Sequence, residues 1–185
     1  MDLADLKNKL NRPVTLWGMM GAGKTKTGRH MASLLNLSFL DSDIEIEKAA
    51  GMTIPEIFEK YGEAWFRCGE EKVIRRLLAD ENPCIIALGG GAVMSTATQA
   101  LLSRKALNIW LRADVDILVE RVRQSTHRPL LNTDDMAEKL ARLTRERTPI
   151  YEKADIIVDV DNLKQASEFA LNVLEALQSH LDNMT

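Results

Sequence analysis

Gly18-Met-Met-Gly-Ala-Gly-Lys-Thr25 matches the pattern Gly-x-x-x-x-Gly-Lys-Ser/Thr without a departure. Its neighbours make it decisive for the fold. The apolar run Pro13-Val-Thr-Leu-Trp17 before it reads as a buried strand. After it, Met31, Leu34 and Leu35 recur at helix spacing, with Asn36 as the stop. Glycines let a backbone curl until several N–H groups face one phosphate chain, and the helix N-terminus adds a favourable dipole. Lys24 is expected to reach the β- and γ-phosphates, and the Thr25 hydroxyl to ligate Mg²⁺. A glycine-rich turn with a solvated lysine would need neither the full pattern nor the strand–loop–helix setting.

Further along, elements alternate. Leu37 to Leu40 reads as a second strand running into Asp41-Ser-Asp43, and Cys84 to Leu88 as a third running into Gly89-Gly-Gly91. Leu107 to Leu111 and Ile156 to Val158 give a fourth and a fifth. Between strands two and three a helical stretch is interrupted at Gly51 and Gly62, with capping-box spacing at Ser42…Glu45 and Thr53…Glu56. Ala166, Phe169, Ala170, Val173, Leu174, Leu177 and Leu181 mark one face of a C-terminal helix. Continuous apolar strands separated by helices predict a parallel sheet covered on both faces: an α/β fold with three α/β/α layers and five strands. Ligands bind such sheets at the carboxyl ends of the strands, where the three polar or glycine-rich clusters fall.

Residues i and i+2 of a strand share a face, so Asp41 and Asp43 are expected to look at one site, the first nearer a metal and the second nearer an acceptor hydroxyl. A capping turn is the alternative for this pair. The triple glycine suits close approach of an anion, or only a tight turn. Arg67, in the apolar setting Trp65-Phe-Arg67, and Arg128 and Arg147 have the chemistry to grip carboxylate or phosphate, although most arginines of such a chain are solvated. The polar stretch 124–136 reads as a mobile surface loop.

The 185 residues suit one domain, and 45% hydrophobic with 28% charged residues excludes a disordered chain. Twenty-four basic against 27 acidic residues leave a net charge of −3, which argues against a nucleic-acid surface. Apolar runs are too short for a membrane span, and no targeting segment is evident at the N-terminus. Cys68 and Cys84 lack metal-ligand spacing, so the default compartment is a reducing cytoplasm.

Taken in order, Gly21-Ala-Gly-Lys-Thr25, Asp41-Ser-Asp43, Phe66-Arg67, Gly89-Gly-Gly91, Arg128-Pro-Leu-Leu131 and Arg147-x-Pro-x-Tyr151 resemble the shikimate kinase family over nearly the whole length. The resemblance implies a single P-loop, nucleoside-kinase-like domain over 1–185 with a lid at about 124–136. It implies transfer of the ATP γ-phosphoryl group to the 3-hydroxyl of shikimate with Mg²⁺. By position it places Gly21, Ala22, Gly23, Lys24, Thr25, Lys26, Arg121 and Arg128 at ATP, with Arg121 against adenine and Arg128 closing from the lid. Asp43, Arg67, Gly89, Gly90, Gly91, Arg147, Phe58 and Phe66 fall at shikimate. Thr25 and, through water, Asp41 fall at the metal, while Lys24, Asp43 and Arg128 are the implied catalytic set. A monomer without nucleic-acid or membrane partners is expected. Another small-metabolite kinase, gluconate-type or acting on nucleoside monophosphates, is the alternative, and a non-catalytic nucleotide-binding module is a further one. A GTPase switch would carry an Asn-Lys-x-Asp motif, which the chain lacks.

Overall fold

The computed structural model describes residues 1–80, 82–124, 133–160 and 165–183. Its strands are β1 (Val14–Trp17), β2 (Phe39–Asp41), β3 (Ile85–Ala87), β4 (Leu107–Arg112) and β5 (Ile156–Asp159). They form one all-parallel sheet in the order β2-β3-β1-β4-β5. Burial follows position in the sheet: every residue of the central strands β1 and β3 is buried, whereas β2 and β5 at the edges are partly exposed. In the interior, Asn108 accepts from Thr15 Oγ1 at 2.8 Å and donates from Nδ2 to Asp155 at 2.9 Å, so the polar groups inside the sheet satisfy one another.

Helices α2 (Lys24–Leu35), α3 (Ser42–Ala50), α4 (Ile54–Leu77), α5 (Thr96–Lys105), α6 (Val115–Gln124), α7 (Thr133–Tyr151) and α8 (Ala166–Asp182) follow the strands, and α1 (Leu3–Lys9) precedes them. The connection β1–α2–β2 runs toward one edge of the sheet, whereas β3–α5–β4 runs toward the other. Because parallel crossovers are right-handed, α2 covers one face and α4, α5 and α7 cover the opposite one. Helix α8 packs beside α2, giving the three layers. The reversal falls between the neighbours β1 and β3, and an α/β sheet opens its ligand crevice at such a point.

The expected boundaries hold within about two residues. Asn36 does end α2, in a left-handed conformation with φ 49°. Gly51 caps α3, and Gly62, with φ 76°, kinks α4. Of the three residues at helix spacing in α2, Met31 and Leu35 are buried and Leu34 is exposed. Of the stretch 124–136, Gln124 closes α6 and residues 133–136 open α7. Residues 125–132, with Arg128, lie outside the described residues. Helix α1 is capped by Asp2, and Lys9 ties it to Asp182 of α8 at 2.8 Å.

Candidate active site

The loop between β1 and α2 is held open by glycines where nothing else fits. At Gly18, φ is +137° and a Cβ would stand 2.7 Å from the Leu111 carbonyl oxygen. Gly23, with φ +92°, turns the chain into the first turn of α2. Lys24 bends back over the loop, and its Nζ donates to the carbonyls of Gly18 and Met19 at 2.8 and 3.0 Å. Burial disfavours its charge and brings the ammonium down to about 8, against the opposing pull of Asp43 and Asp41. The Thr25 hydroxyl donates to Asp41 Oδ2 at 2.7 Å, which joins the loop to the end of β2 across the intervening strand β3. Of the remaining loop positions, Ala22 is buried and Lys26 is exposed.

Asp41 and Asp43 meet by a different route from the one their spacing suggested. Strand β2 stops at Asp41, and Asp43 already belongs to the first turn of α3. Asp41 is the N-cap of that helix, accepting the Asp43 N–H at 3.1 Å through Oδ1 while Oδ2 takes the Thr25 hydroxyl. The capping reading of this pair therefore holds at Asp41, which caps α3 with one oxygen and ties the phosphate loop with the other. The capping box expected at Ser42…Glu45 does not form. Ser42 is buried and its hydroxyl accepts the Gly89 N–H at 2.8 Å, while Glu45 turns outward to Lys48 and Arg76. The box at Thr53…Glu56 does form.

Gly89, Gly90 and Gly91 leave room for charged side chains. A Cβ on Gly89 would stand 2.6 Å from Asp43 Oδ1, one on Gly90 3.3 Å from Arg147 Nη1, and one on Gly91 2.7 Å from Arg67 Nη1. The first glycine does not offer its N–H to an anion, because the Ser42 hydroxyl accepts it at 2.8 Å. Arg67 projects from α4, its guanidinium over the Phe66 ring at 5.0 Å. Phe66 is buried and tilts against the more exposed Phe58, their centroids 4.7 Å apart.

Glu70 was not anticipated. It is buried, accepts Arg67 Nη1 at 2.7 Å, and stands 3.0 Å from the position of a Gly89 Cβ. Burial pushes its carboxyl up, with Arg67 pulling the other way. Burial also works against the Arg67 charge, but Glu70 and Glu63 outweigh it, so the guanidinium stays charged. Glu70 lies on the apolar stripe of α4 (Phe66, Val73, Ile74, Leu77), and a carboxylate on such a stripe was the available signal.

One cleft of about 880 Å³ is lined by Gly21, Gly23, Lys24, Thr25, Lys26, Asp41, Asp43 and Arg121, and it continues to Ala166 and Phe169 of α8. Arg121 Nη1 lies 3.5 Å from where a Gly23 Cβ would be. Beside this cleft, just past Ala87 and Leu88 of its lining, Arg67 and Arg147 converge on the glycine turn, where a Cβ on Gly90 would stand 3.3 Å from both Arg147 Nη1 and the Gly18 carbonyl oxygen. Of the residues singled out by sequence, Gly21, Gly23, Lys24, Thr25, Lys26, Asp41, Asp43 and Arg121 thus line the cleft, and Arg67 and Arg147 meet the glycine turn beside it. Phe66 lies against Arg67 with the exposed Phe58 next to it, while Arg128 is outside the described residues.

A family model described as shikimate kinase matches residues 20–178. A shikimate kinase of Bradyrhizobium diazoefficiens is 48% identical over 96% of this chain and 86% of its own length. One from Ruegeria pomeroyi is 44% identical over 94% of this chain and 88% of its own. Among solved structures, shikimate kinase from Acinetobacter baumannii in complex with shikimate superposes with a TM-score of 0.85 at 35% identity, covering 94% of this chain and 97% of that one.

Proposed function

The chain belongs to the shikimate kinase family, and on that premise we propose how its residues divide the work. The reaction is ATP-dependent transfer of a phosphoryl group to the 3-hydroxyl of shikimate, giving shikimate 3-phosphate and ADP on the way to chorismate and the aromatic amino acids. One observation carries the assignment: Lys24 and Asp43 open into the same cleft, and Asp43 lies against the glycine turn on which Arg67 and Arg147 converge.

In this reading the loop 21–26 wraps the phosphates of ATP. Lys24 leaves the Gly18 and Met19 carbonyls to meet the transferring group, and Arg121 lies at the base. Arg128 closes over the phosphates from the lid. Arg67 and Arg147, with Gly89, Gly90 and Gly91 beneath them, take the carboxylate of shikimate, and Phe58 and Phe66 wall its ring. Asp43 takes the ring hydroxyls and orients the acceptor, receiving its proton as the phosphorus–oxygen bond forms. Phosphoryl transfer asks mainly for such positioning and for charge compensation.

Mg²⁺ fits the oxygen set at the loop. Among the described residues no trio of His, Cys, Asp or Glu is arranged as a cage. A hydroxyl and one carboxylate, Thr25 and Asp41 at 2.7 Å, suit an ion that keeps most of its waters and binds substrate phosphates. When bound it would offset the charge of the β- and γ-phosphates, Thr25 holding it directly and Asp41 through water. The reading includes a monomer working in the cytoplasm without nucleic-acid or membrane partners. No described helix is long and apolar enough to cross a membrane.

The test is ADP release by the purified chain with ATP and Mg²⁺. Turnover with shikimate and none with gluconate or nucleoside monophosphates supports the reading. The reverse pattern would hand the site to another small-metabolite kinase, and silence with every acceptor would leave a binding module.

A further inference from the structure

Tyr151 is the last residue of α7 and is 1% exposed, yet its hydroxyl is not spent on the core. It donates to the Gly90 carbonyl, in the middle of the turn that faces the arginines. Arg147 lies one helical turn earlier on the same face of α7, four residues away, where side chains are neighbours. The two side chains also share a contact on the phosphate loop: Met19 Sδ is 3.8 Å from Tyr151 Oη and 3.8 Å from Arg147 Nη1. Below, the Trp110 ring packs against the phenol, centroids 5.6 Å apart. Burial pushes the phenol pKa up, with Arg147 opposing, so the hydroxyl remains a donor at neutral pH.

A phenylalanine would fill this space and pack on Trp110 as well. A buried hydroxyl costs free energy unless it is bonded, and this one is bonded to a carbonyl of the candidate site. Gly90 has no side chain with which to hold its own peptide, and it lies against the guanidinium of Arg147. We propose that Tyr151 is a positioning residue for the acid substrate: by pinning the Gly90 carbonyl it fixes the glycine turn against Arg147, and so sets the pocket for the substrate carboxylate. The inference rests on the reading above in which Arg147 takes that carboxylate.

The experiment compares Tyr151→Phe with Arg147→Ala and the unaltered enzyme in steady-state assays, with folding followed by thermal melting. Tyr151→Phe is expected to raise KM for shikimate by roughly five- to tenfold, the loss of one neutral hydrogen bond. Its kcat and its KM for ATP are expected to stay within about twofold. Inhibition by the methyl ester of shikimate, which lacks the anionic carboxylate, is expected to change no more than the KM for ATP does. A uniform loss in kcat, both KM values and ester binding would show a merely structural tyrosine and overturn the proposal. If Tyr151→Phe is silent while Arg147→Ala raises KM for shikimate, the carboxylate assignment stands and the positioning role falls. If both are silent, the assignment falls and this inference with it. Met19→Leu keeps the buried volume and the main-chain carbonyl that Lys24 uses but removes the shared sulfur, and is expected to raise the KM for shikimate by about twofold. That variant decides the question should Tyr151→Phe melt below the assay temperature, an unchanged KM then counting against the positioning role.

Discussion

At one end of the proposed site, consecutive residues Gly18 to Thr25 form a loop of main chain, shaped by left-handed glycines and closed by one lysine, as the proposed grip on ATP. At the other end, Arg67 comes from α4, Gly90 from the turn after β3, and Arg147 and Tyr151 from α7. The first grip is a local device that a strand and a helix suffice to present. The second exists only because the right-handed crossovers bring three distant segments to the crevice between β1 and β3. The two should therefore fail differently when single side chains are removed.

The largest effect is expected at the local end. Lys24→Ala removes the cation that bends back over the loop, and turnover should drop on the order of 10²–10³-fold, as when a preorganised charge is withdrawn from a transition state. The fold should survive, because the lysine is a desolvated charge in the free protein and contributes little to the core. ADP release and a thermal melt measure both. Near-normal turnover in a folded variant would show that the loop does not act on the transferring phosphoryl group.

Arg147→Ala should separate the two ends. A charged hydrogen bond to the substrate carboxylate is lost, which amounts to roughly 10–100-fold in shikimate affinity. Nucleotide affinity should move by no more than about twofold, since Arg147 reaches the phosphate loop only through the long contact of Nη1 with Met19 Sδ at 3.8 Å and through weak repulsion of Lys24. Titration calorimetry with each ligand decides it. Equal losses would mean that the guanidinium serves both ends and that the two grips are not separate devices.

A pH series sharpens the same contrast. Burial lowers Lys24 to about 8, so in the free enzyme its charge is present below that pH and is lost above it. The ratio kcat/KM for ATP should fall by up to tenfold per unit as pH rises beyond about 8. The limb in kcat should lie higher, because bound phosphates favour the ammonium. Lys24→Arg should erase the limb, whatever its activity, since a guanidinium does not titrate there. The arginine end should show no such limb in KM for shikimate. A limb in that parameter would locate the titrating group elsewhere.

How much of this was legible depends on the range of the cause. The strands, the phosphate loop and the ends of α2 and α3 follow from apolar runs and from residues such as Asn36 and Gly51, whose effects are local. Asp43, Arg67 and Arg147 were found as residue types and as members of an ordered pattern, because nothing local says what a side chain meets across the sheet. Ser42 shows the limit. Its spacing to Glu45 fits a capping box, yet a backbone N–H from Gly89, 47 positions away, takes the hydroxyl. Glu70 and Glu71 are adjacent and chemically identical in the sequence. Only the packing of α4 buries the first beneath Arg67 and lets the second receive the Ser95 hydroxyl.

The smallest expected effect tests whether the assembled end is idle or already occupied before its substrate arrives. Arg67 gives Nη1 to buried Glu70, while Nε and Nη2 turn to Glu63 Oε1 at 3.4 and 3.3 Å. That second edge is a two-toothed fork suited to a carboxylate, so Glu63 stands where an incoming acid would compete. The Glu63 side chain is 68% exposed, and its long contacts make a weak, salt-screened pair. Glu63→Gln should therefore lower KM for shikimate by about twofold at low ionic strength, and the gain should vanish in about 0.5 M salt. Glu63 does not line the loop end of the cleft, so KM for ATP should not move. A rise in KM for shikimate would mean instead that Glu63 aligns Arg67, and that the acid end is preorganised by its own carboxylates as fully as the loop is by its glycines.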